Sequence, residues 1–217
     1  MHPISKKFNV VEIFSSIQGE STFSGVRCTF IRLSGCNLRC SYCDTDYAYS
    51  GGEELTITEI IKRVEEFETP IVEITGGEPL MHKGVDELAQ ELLNLHKEVL
   101  IETNGSYSIK TLPKEVVKII DIKTPTSGEG DSFLQENLAF IDSKDEVKFV
   151  IGSQEDYNWS LNFIKSSSIV TDKVIFSPVW GALEPQELTK WIVQDRSPVR
   201  LGLQIHKFIW DAEKRGV

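Results

Sequence analysis

Three of the four cysteines in this 217-residue chain, Cys36, Cys40 and Cys43, fall in the run Ser-Gly-Cys-Asn-Leu-Arg-Cys-Ser-Tyr-Cys-Asp. Crowded soft thiolates read as a ligand set, because sulfur of this kind suits iron and zinc. A loop that supplies three thiolates leaves one iron of a cubane without a protein ligand, and an open iron can bind substrate. The alternatives are a structural zinc site, which would need Cys28 or a histidine as fourth ligand, and a redox thiol pair. Cys28 alternates within a β-rich run and reads most simply as core. Four cysteines in an intracellular chain of this size are too few for a disulfide framework.

Other residues could serve a ligand near such a centre. In Gly76-Gly77-Glu78-Pro79 two glycines let backbone approach a ligand closely and a carboxylate attracts an ammonium, although the tetrapeptide alone could be a turn. Arg32 offers a guanidinium fork that matches a carboxylate in bidentate fashion, or a structural ion pair. The polar stretch 15–22 holds Gln18, Gly19 and Glu20, which supply donors and acceptors, or form a plain surface loop. His206 could contact substrate or move a proton, or be a satisfied structural group.

These residues need a scaffold that brings them together. Short runs rich in Val, Ile and Phe at 28–33, 71–75, 99–103, 117–123, 147–151, 174–176 and 200–205 read as buried parallel strands. A further strand is expected at 9–14. Between them Ile57, Ile60, Ile61, Val64 and Phe67 recur at helical spacing, as do Val85, Leu88, Leu92 and Leu95, and later Leu188, Trp191 and Ile192. Thr58 is a candidate cap for the first helix, and Pro185 suits a first helical turn. The β-α-β-α order allows an open doubly wound sheet or a barrel. Polar or glycine-rich clusters follow successive strands, which a barrel would gather on one rim. The chain is short for eight full β/α units of about 250 residues, so the fold class expected is α/β, an incomplete TIM-like β/α barrel. Weakly helical stretches at 108–113 and 126–130 fit shortened crossovers. A single domain is expected, with residues 1–27 as N-terminal strand and substrate loop, 28–205 as partial barrel and 206–217 as C-terminal tail.

A formal charge of −10 argues against capture of nucleic acid or anionic lipid. No apolar run suits a membrane span, and residues 1–7 lack the apolar stretch of a signal, so a cytoplasmic location is expected.

The spacing Cys36-x3-Cys40-x2-Cys43, with Tyr42 before the last cysteine, resembles the radical S-adenosylmethionine superfamily. Within it the chain is similar over nearly its whole length to the 7-carboxy-7-deazaguanine synthase family. The carriers are Ile17-Gln18-Gly19-Glu20, Phe30-Ile31-Arg32, Cys43-Asp44-Thr45 and Leu203-Gln204-Ile205-His206-Lys207. The resemblance implies that Cys36, Cys40 and Cys43 hold a 4Fe-4S cluster that cleaves S-adenosyl-L-methionine. It implies Mg2+ at Thr45, which from sequence alone would read as a cap. It places a pterin substrate against Ile17, Gln18, Gly19, Glu20, Arg32, Thr75 and His206, with Glu20 and His206 as catalytic candidates. Cosubstrate contacts would come from Tyr42, Cys43, Asp44, Gly76, Gly77 and Glu78, then Glu102 and Asn104, then Lys123, Thr124 and Pro125, then Ser177, Pro178, Val179 and Trp180. Trp180 could instead be packing.

The reaction implied converts 6-carboxy-5,6,7,8-tetrahydropterin to 7-carboxy-7-deazaguanine with loss of ammonia, a step towards queuosine and tRNA modification. Implied partners are an electron donor such as flavodoxin or ferredoxin and a second copy in a homodimer, with no nucleic acid and no membrane. The chain departs from shorter relatives by continuing past His206-Lys207. Their terminal carboxylate lies near the substrate, and here Trp210 or the carboxylate of Val217 could substitute. Rival readings are a glycyl-radical activating enzyme acting on a protein partner and a zinc-binding interaction module.

Overall fold

A computed structural model describes residues 6–217. Residues 1–5, part of the segment read above as lacking a signal, lie outside the described residues.

Nine strands form one sheet in the order β3-β1-β2-β4-β5-β6-β7-β8-β9. They are β1 Lys7–Ile17, β2 Arg27–Leu33, β3 Glu53–Thr56, β4 Ile71–Gly76, β5 Glu98–Thr103, β6 Val117–Asp121, β7 Glu146–Ile151, β8 Val174–Pro178 and β9 Arg200–Leu201. From β2 to β9 every neighbouring pair is parallel, whereas β1 pairs antiparallel with both β2 and β3. The sheet curls into a partial β/α barrel, as the strand order and rim residues led one to expect.

Four helices pack on the outside: α1 Ile57–Glu65, α2 Val85–Asn94, α3 Gln154–Ser166 and α4 Pro185–Gln194. Their apolar stripes and the outer sheet face make the larger core, in which Ile57, Ile60, Val64, Leu88 and Leu92 are fully buried. Each such side chain contributes about 1.5–3 kcal/mol on leaving water. The connections after β5 and β6 contain turns and short 3-10 segments in place of α-helix, so these crossovers are shortened. Inside the barrel, Phe30, Ile71, Leu100, Val117 and Ile119 form a second apolar cluster with Cys28. This plug confirms Cys28 as core and floors the space above it.

Four local expectations need correction. Thr56, two residues before Thr58, caps α1: its hydroxyl accepts from Glu59 N at 3.3 Å, and Glu59 answers by accepting from Thr56 N at 2.8 Å. Strand β3 escapes a pattern search because it is a four-residue edge strand with Glu53 and Glu54 exposed. Helix α3 does so because Gln, Glu, Asp, Asn and Ser dilute its apolar stripe, although Ser153 caps it through Asp156 N and Trp159 and Phe163 pack on Phe149. The run 200–205 is strand only at Arg200–Leu201. Beyond it the chain turns towards the β1–β2 loop, where Ile205 N donates to Gly19 O at 2.9 Å, and His206 opens a short helix, α5 His206–Ile209, instead of ending a strand.

Candidate active site at the barrel mouth

The barrel encloses a cavity of about 570 Å³ that the cysteine loop, the glycine pair, the β1–β2 loop and the C-terminal tail all line. Cys36, Cys40 and Cys43 stand on its wall, partly exposed and unpaired with one another. The Cys36 sulfur accepts from Leu38 N at 3.4 Å, and Asn104 Nδ2 lies 4.0 Å from it. Burial pushes the Cys36 thiol up and the Cys40 thiol up to about 11, and a bound metal would deprotonate both. Among the described residues no three His, Cys, Asp or Glu side chains converge on one point tightly enough for a single metal ion. Three thiols on one cavity lining would suit three irons of one cubane, with the fourth iron open to a ligand.

The glycine pair packs under the cysteine loop. Gly77 N donates to Leu33 O at 3.2 Å and Glu78 N to Gly35 O at 2.8 Å. A β-carbon on Gly77 would overlap the Gly35 carbonyl and sit 2.8 Å from Cys36 Cβ, so only glycine permits this approach. The expectation for Glu78 changes here. Its carboxylate is fully buried off the cavity wall and accepts from Thr103 Oγ1 at 2.8 Å, Asn104 N at 2.7 Å and Leu80 N at 2.9 Å. Glu78 ties three segments together, and backbone of Gly76 and Gly77 faces the cavity instead. Thr124, Pro125, Ser177 and Pro178 also fall outside the lining. Thr124 is buried with its hydroxyl on Val150 O at 2.8 Å, and Ser177 and Pro178 complete β8. Their neighbours Lys123, Val179 and Trp180 do line the cavity, as do Tyr42, Asp44, Glu102 and Asn104.

All seven residues expected to meet substrate reach the same cavity. Gln18 Nε2 donates to Glu73, and Glu20 N donates to Gln18 Oε1 at 2.6 Å, which sets the shape of the loop. Thr22 N donates to the buried Glu146 and anchors the loop to β7. Arg32 Nε donates to Glu12 Oε1 at 2.7 Å, while its terminal nitrogens make no hydrogen bond among the described residues. Thr75 stands on β4 near the mouth. Thr45 Oγ1 donates its proton to Asp44 Oδ1 at 2.9 Å, which leaves the oxygen lone pairs for a cation. His206 lies beside Gly19 and Glu20; burial lowers its pKa against the opposing pull of Glu20, so the ring is neutral near pH 7.

A charged layer above the apolar plug escapes sequence reading. Lys148 Nζ reaches Glu20 Oε2 at 2.9 Å, Asp121 Oδ2 at 3.5 Å and the Glu102 carboxylate, and Lys123 Nζ reaches Asp121 Oδ2 at 2.9 Å. Burial would lower the Lys148 pKa, but Glu102, Glu20 and Asp121 hold it well above its ordinary value. Burial and the Glu102 charge push Glu73 up to about 8. Asp121 Oδ1 is buried on the wall with no hydrogen-bond partner among the described residues, which leaves it available to a further polar group. Alternation along β4, β6 and β7 is the signal that could have found Glu73, Asp121 and Lys148, since each is a polar residue on the interior face of a buried strand. Tyr47, Tyr49 and residues 212–217 also line the cavity, Val217 among them, whereas Trp210 does not.

Comparisons with known proteins agree with this geometry. Residues 30–124 match the Radical SAM superfamily. The chain is 44% identical to 7-carboxy-7-deazaguanine synthase of Chlorobaculum tepidum over 96% of this chain and 97% of that one. It is 41% identical to the synthase of Koribacter versatilis over 96% and 99% of the two chains. The crystal structure of QueE from Escherichia coli superposes with a TM-score of 0.76 at 20% identity, covering 91% of this chain and 93% of that one, and supports the fold. The chain belongs to the 7-carboxy-7-deazaguanine synthase family of the radical SAM superfamily.

Proposed function

We propose that this chain is a carbon–nitrogen lyase that converts 6-carboxy-5,6,7,8-tetrahydropterin to 7-carboxy-7-deazaguanine and ammonia, on the way to queuosine and related deazapurines. The observation that carries the reading is the shared cavity: Cys36, Cys40, Cys43 and the Gly76-Gly77 backbone occupy one wall, and Gln18, Glu20, Arg32 and His206 line the rest. Cys36, Cys40 and Cys43 would hold a 4Fe-4S cluster, which would supply the electron for reductive cleavage of S-adenosyl-L-methionine.

The chain's own residues do the remaining work. The loop through Gln18, Gly19 and Glu20 offers acceptors and a donor to the amino edge of a pterin, and Lys148 keeps Glu20 ionised there: burial raises its pKa, but Lys148 and the Gln204 hydrogen bond outweigh this. Arg32 presents its terminal nitrogens to the substrate carboxylate. Neutral His206 can accept a proton at the cavity edge. Enclosure by the barrel and the C-terminal tail limits water around reactive species.

Mg2+ at Thr45 belongs to the same reading, supported by the free lone pairs of its hydroxyl, with substrate and water completing the shell. An external one-electron donor such as flavodoxin or ferredoxin fits the placement of Asn37, Arg39 and Ser41, which are exposed on the cysteine loop. A homodimer, a cytoplasmic location and a single domain complete the reading. No described helix is long and apolar enough to cross a membrane.

The experiment is an anaerobic incubation of the reconstituted protein with the tetrahydropterin, S-adenosyl-L-methionine and reductant. Formation of the carboxydeazaguanine supports the reading. Cofactor cleavage stimulated by a protein partner, with no deazaguanine, supports the activating-enzyme rival.

A further inference from the structure

The mouth of the cavity carries a second guanidinium. Arg215 lies over the Tyr47 ring, its Cζ 3.9 Å from the centroid, while Arg32 Cζ lies 5.8 Å from the centroid of the same ring. The Tyr47 hydroxyl donates to Glu12 Oε1 at 2.9 Å, the oxygen that also accepts from Arg32 Nε. Two guanidinium groups therefore approach one ring, and of the two Arg32 is hydrogen-bonded to Glu12. Nearby, Asp44 pairs with Lys207 at 2.7 Å, and Asp46, Glu213, Lys214 and Val217 also line the cavity. The same cavity is lined by Glu20, Glu73, Glu102 and Asp121, with Lys148 and Lys123 among them.

A guanidinium stacked face-on against an aromatic ring keeps its N–H edge free, because its donors lie in its own plane. Arg32 and Arg215 both line the cavity, and the terminal nitrogens of both make no hydrogen bond among the described residues. We propose that Arg215 is a substrate-binding residue that pairs with Arg32 to clamp the substrate carboxylate, with Tyr47 as the platform that holds the C-terminal tail over the cavity. The inference rests on the pterin reading and adds a specificity element to it: the paired guanidinium groups select the carboxylated pterin over one that lacks the carboxylate.

The test is an anaerobic fluorescence titration of reconstituted protein with 6-carboxypterin and with pterin, which lacks the carboxylate. The parent should prefer 6-carboxypterin. Arg215→Ala should weaken 6-carboxypterin binding about tenfold and leave pterin binding unchanged, as expected for loss of a charged hydrogen-bond partner. Arg215→Lys should restore part of the loss, since it keeps the charge without the fork. Parent and Arg215→Ala discriminating equally would overturn the clamp while leaving the pterin reading intact. A parent that binds the two compounds equally, or binds neither, would overturn that reading and the clamp with it. Equal weakening of both compounds in Arg215→Ala would assign the tail a packing role and also overturn the proposal.

Discussion

Gly19 lies flat against the imidazole of His206: a β-carbon on Gly19 would sit 2.8 Å from Cγ and overlap Nδ1. The two segments are locked by the hydrogen bond from Ile205 N to Gly19 O. Gly19→Ala must therefore push His206 out of place while the core stays intact. A displacement on the order of 1 Å near reacting groups can cost about 100-fold in rate. The expected outcome is a fall of that order in kcat/KM with an unchanged circular dichroism spectrum, and an unaltered rate would detach His206 from the chemistry.

Lys148 is the hub that makes a layer of buried carboxylates tolerable. Its side chain is 5% exposed and it meets Glu20, Glu102 and Asp121. Lys148→Met leaves Glu20 and Glu102 without their lysine partner, while Asp121 keeps Lys123, a loss of about 3–5 kcal/mol for a broken buried pair. Urea denaturation at pH 7 should register that drop, and lowering the pH should recover part of it as the carboxylates take up protons. A stability equal to the parent's would mean that the layer is solvated.

Glu73 gives a pH signature of its own. Burial, with the charges of Glu102 and Glu20, pushes its carboxyl up to about 8 from an ordinary value of 4.5. Its contribution to stability is fully present below about 4.5 and is lost as pH rises from there through about 8, because over that window the unfolded chain releases the proton that the folded chain keeps. The slope for one proton is at most about 1.4 kcal/mol per pH unit. Glu73→Gln removes the titrating group, so its urea midpoint should fall less than the parent's between pH 5 and 9. Parallel curves for the two proteins would show that Glu73 is already ionised at neutral pH.

Gly77→Ala tests the link between the glycine pair and the cysteine loop. The added methyl would meet Gly35 backbone and Cys36 Cβ, so the loop must shift. Reconstituted protein should hold clearly less iron and sulfide than the parent, with the charge-transfer absorbance of the cluster reduced in proportion. Full iron content would mean that the loop yields at little cost.

The barrel was legible in the sequence because its strands are buried on both faces and read as near-continuous apolar runs, from Cys28–Leu33 to Val174–Phe176. The cysteine loop was legible because ligand spacing is local. What the sequence did not reveal depends on convergence from distant strands: Lys148 meets Glu20 across 128 positions and Glu102 across 46. Glu78 misled for a related reason. A carboxylate beside two glycines looks ligand-facing until Thr103 and Asn104, from the next strand end, are seen to occupy it. Strand β3 and helix α3 were hidden because tertiary pairing, more than local pattern, stabilises them.

The central claim is that the cluster chemistry and the pterin share one cavity. Its most direct test uses tetrahydropterin substrate deuterated on the reduced ring carbons, with S-adenosyl-L-methionine and dithionite, and mass spectrometry of the 5′-deoxyadenosine formed. Deuterium should appear in the 5′-deoxyadenosine together with carboxydeazaguanine, and neither should form with Cys40→Ala. Unlabelled 5′-deoxyadenosine without deazaguanine from the parent, or labelled product from Cys40→Ala, would contradict it.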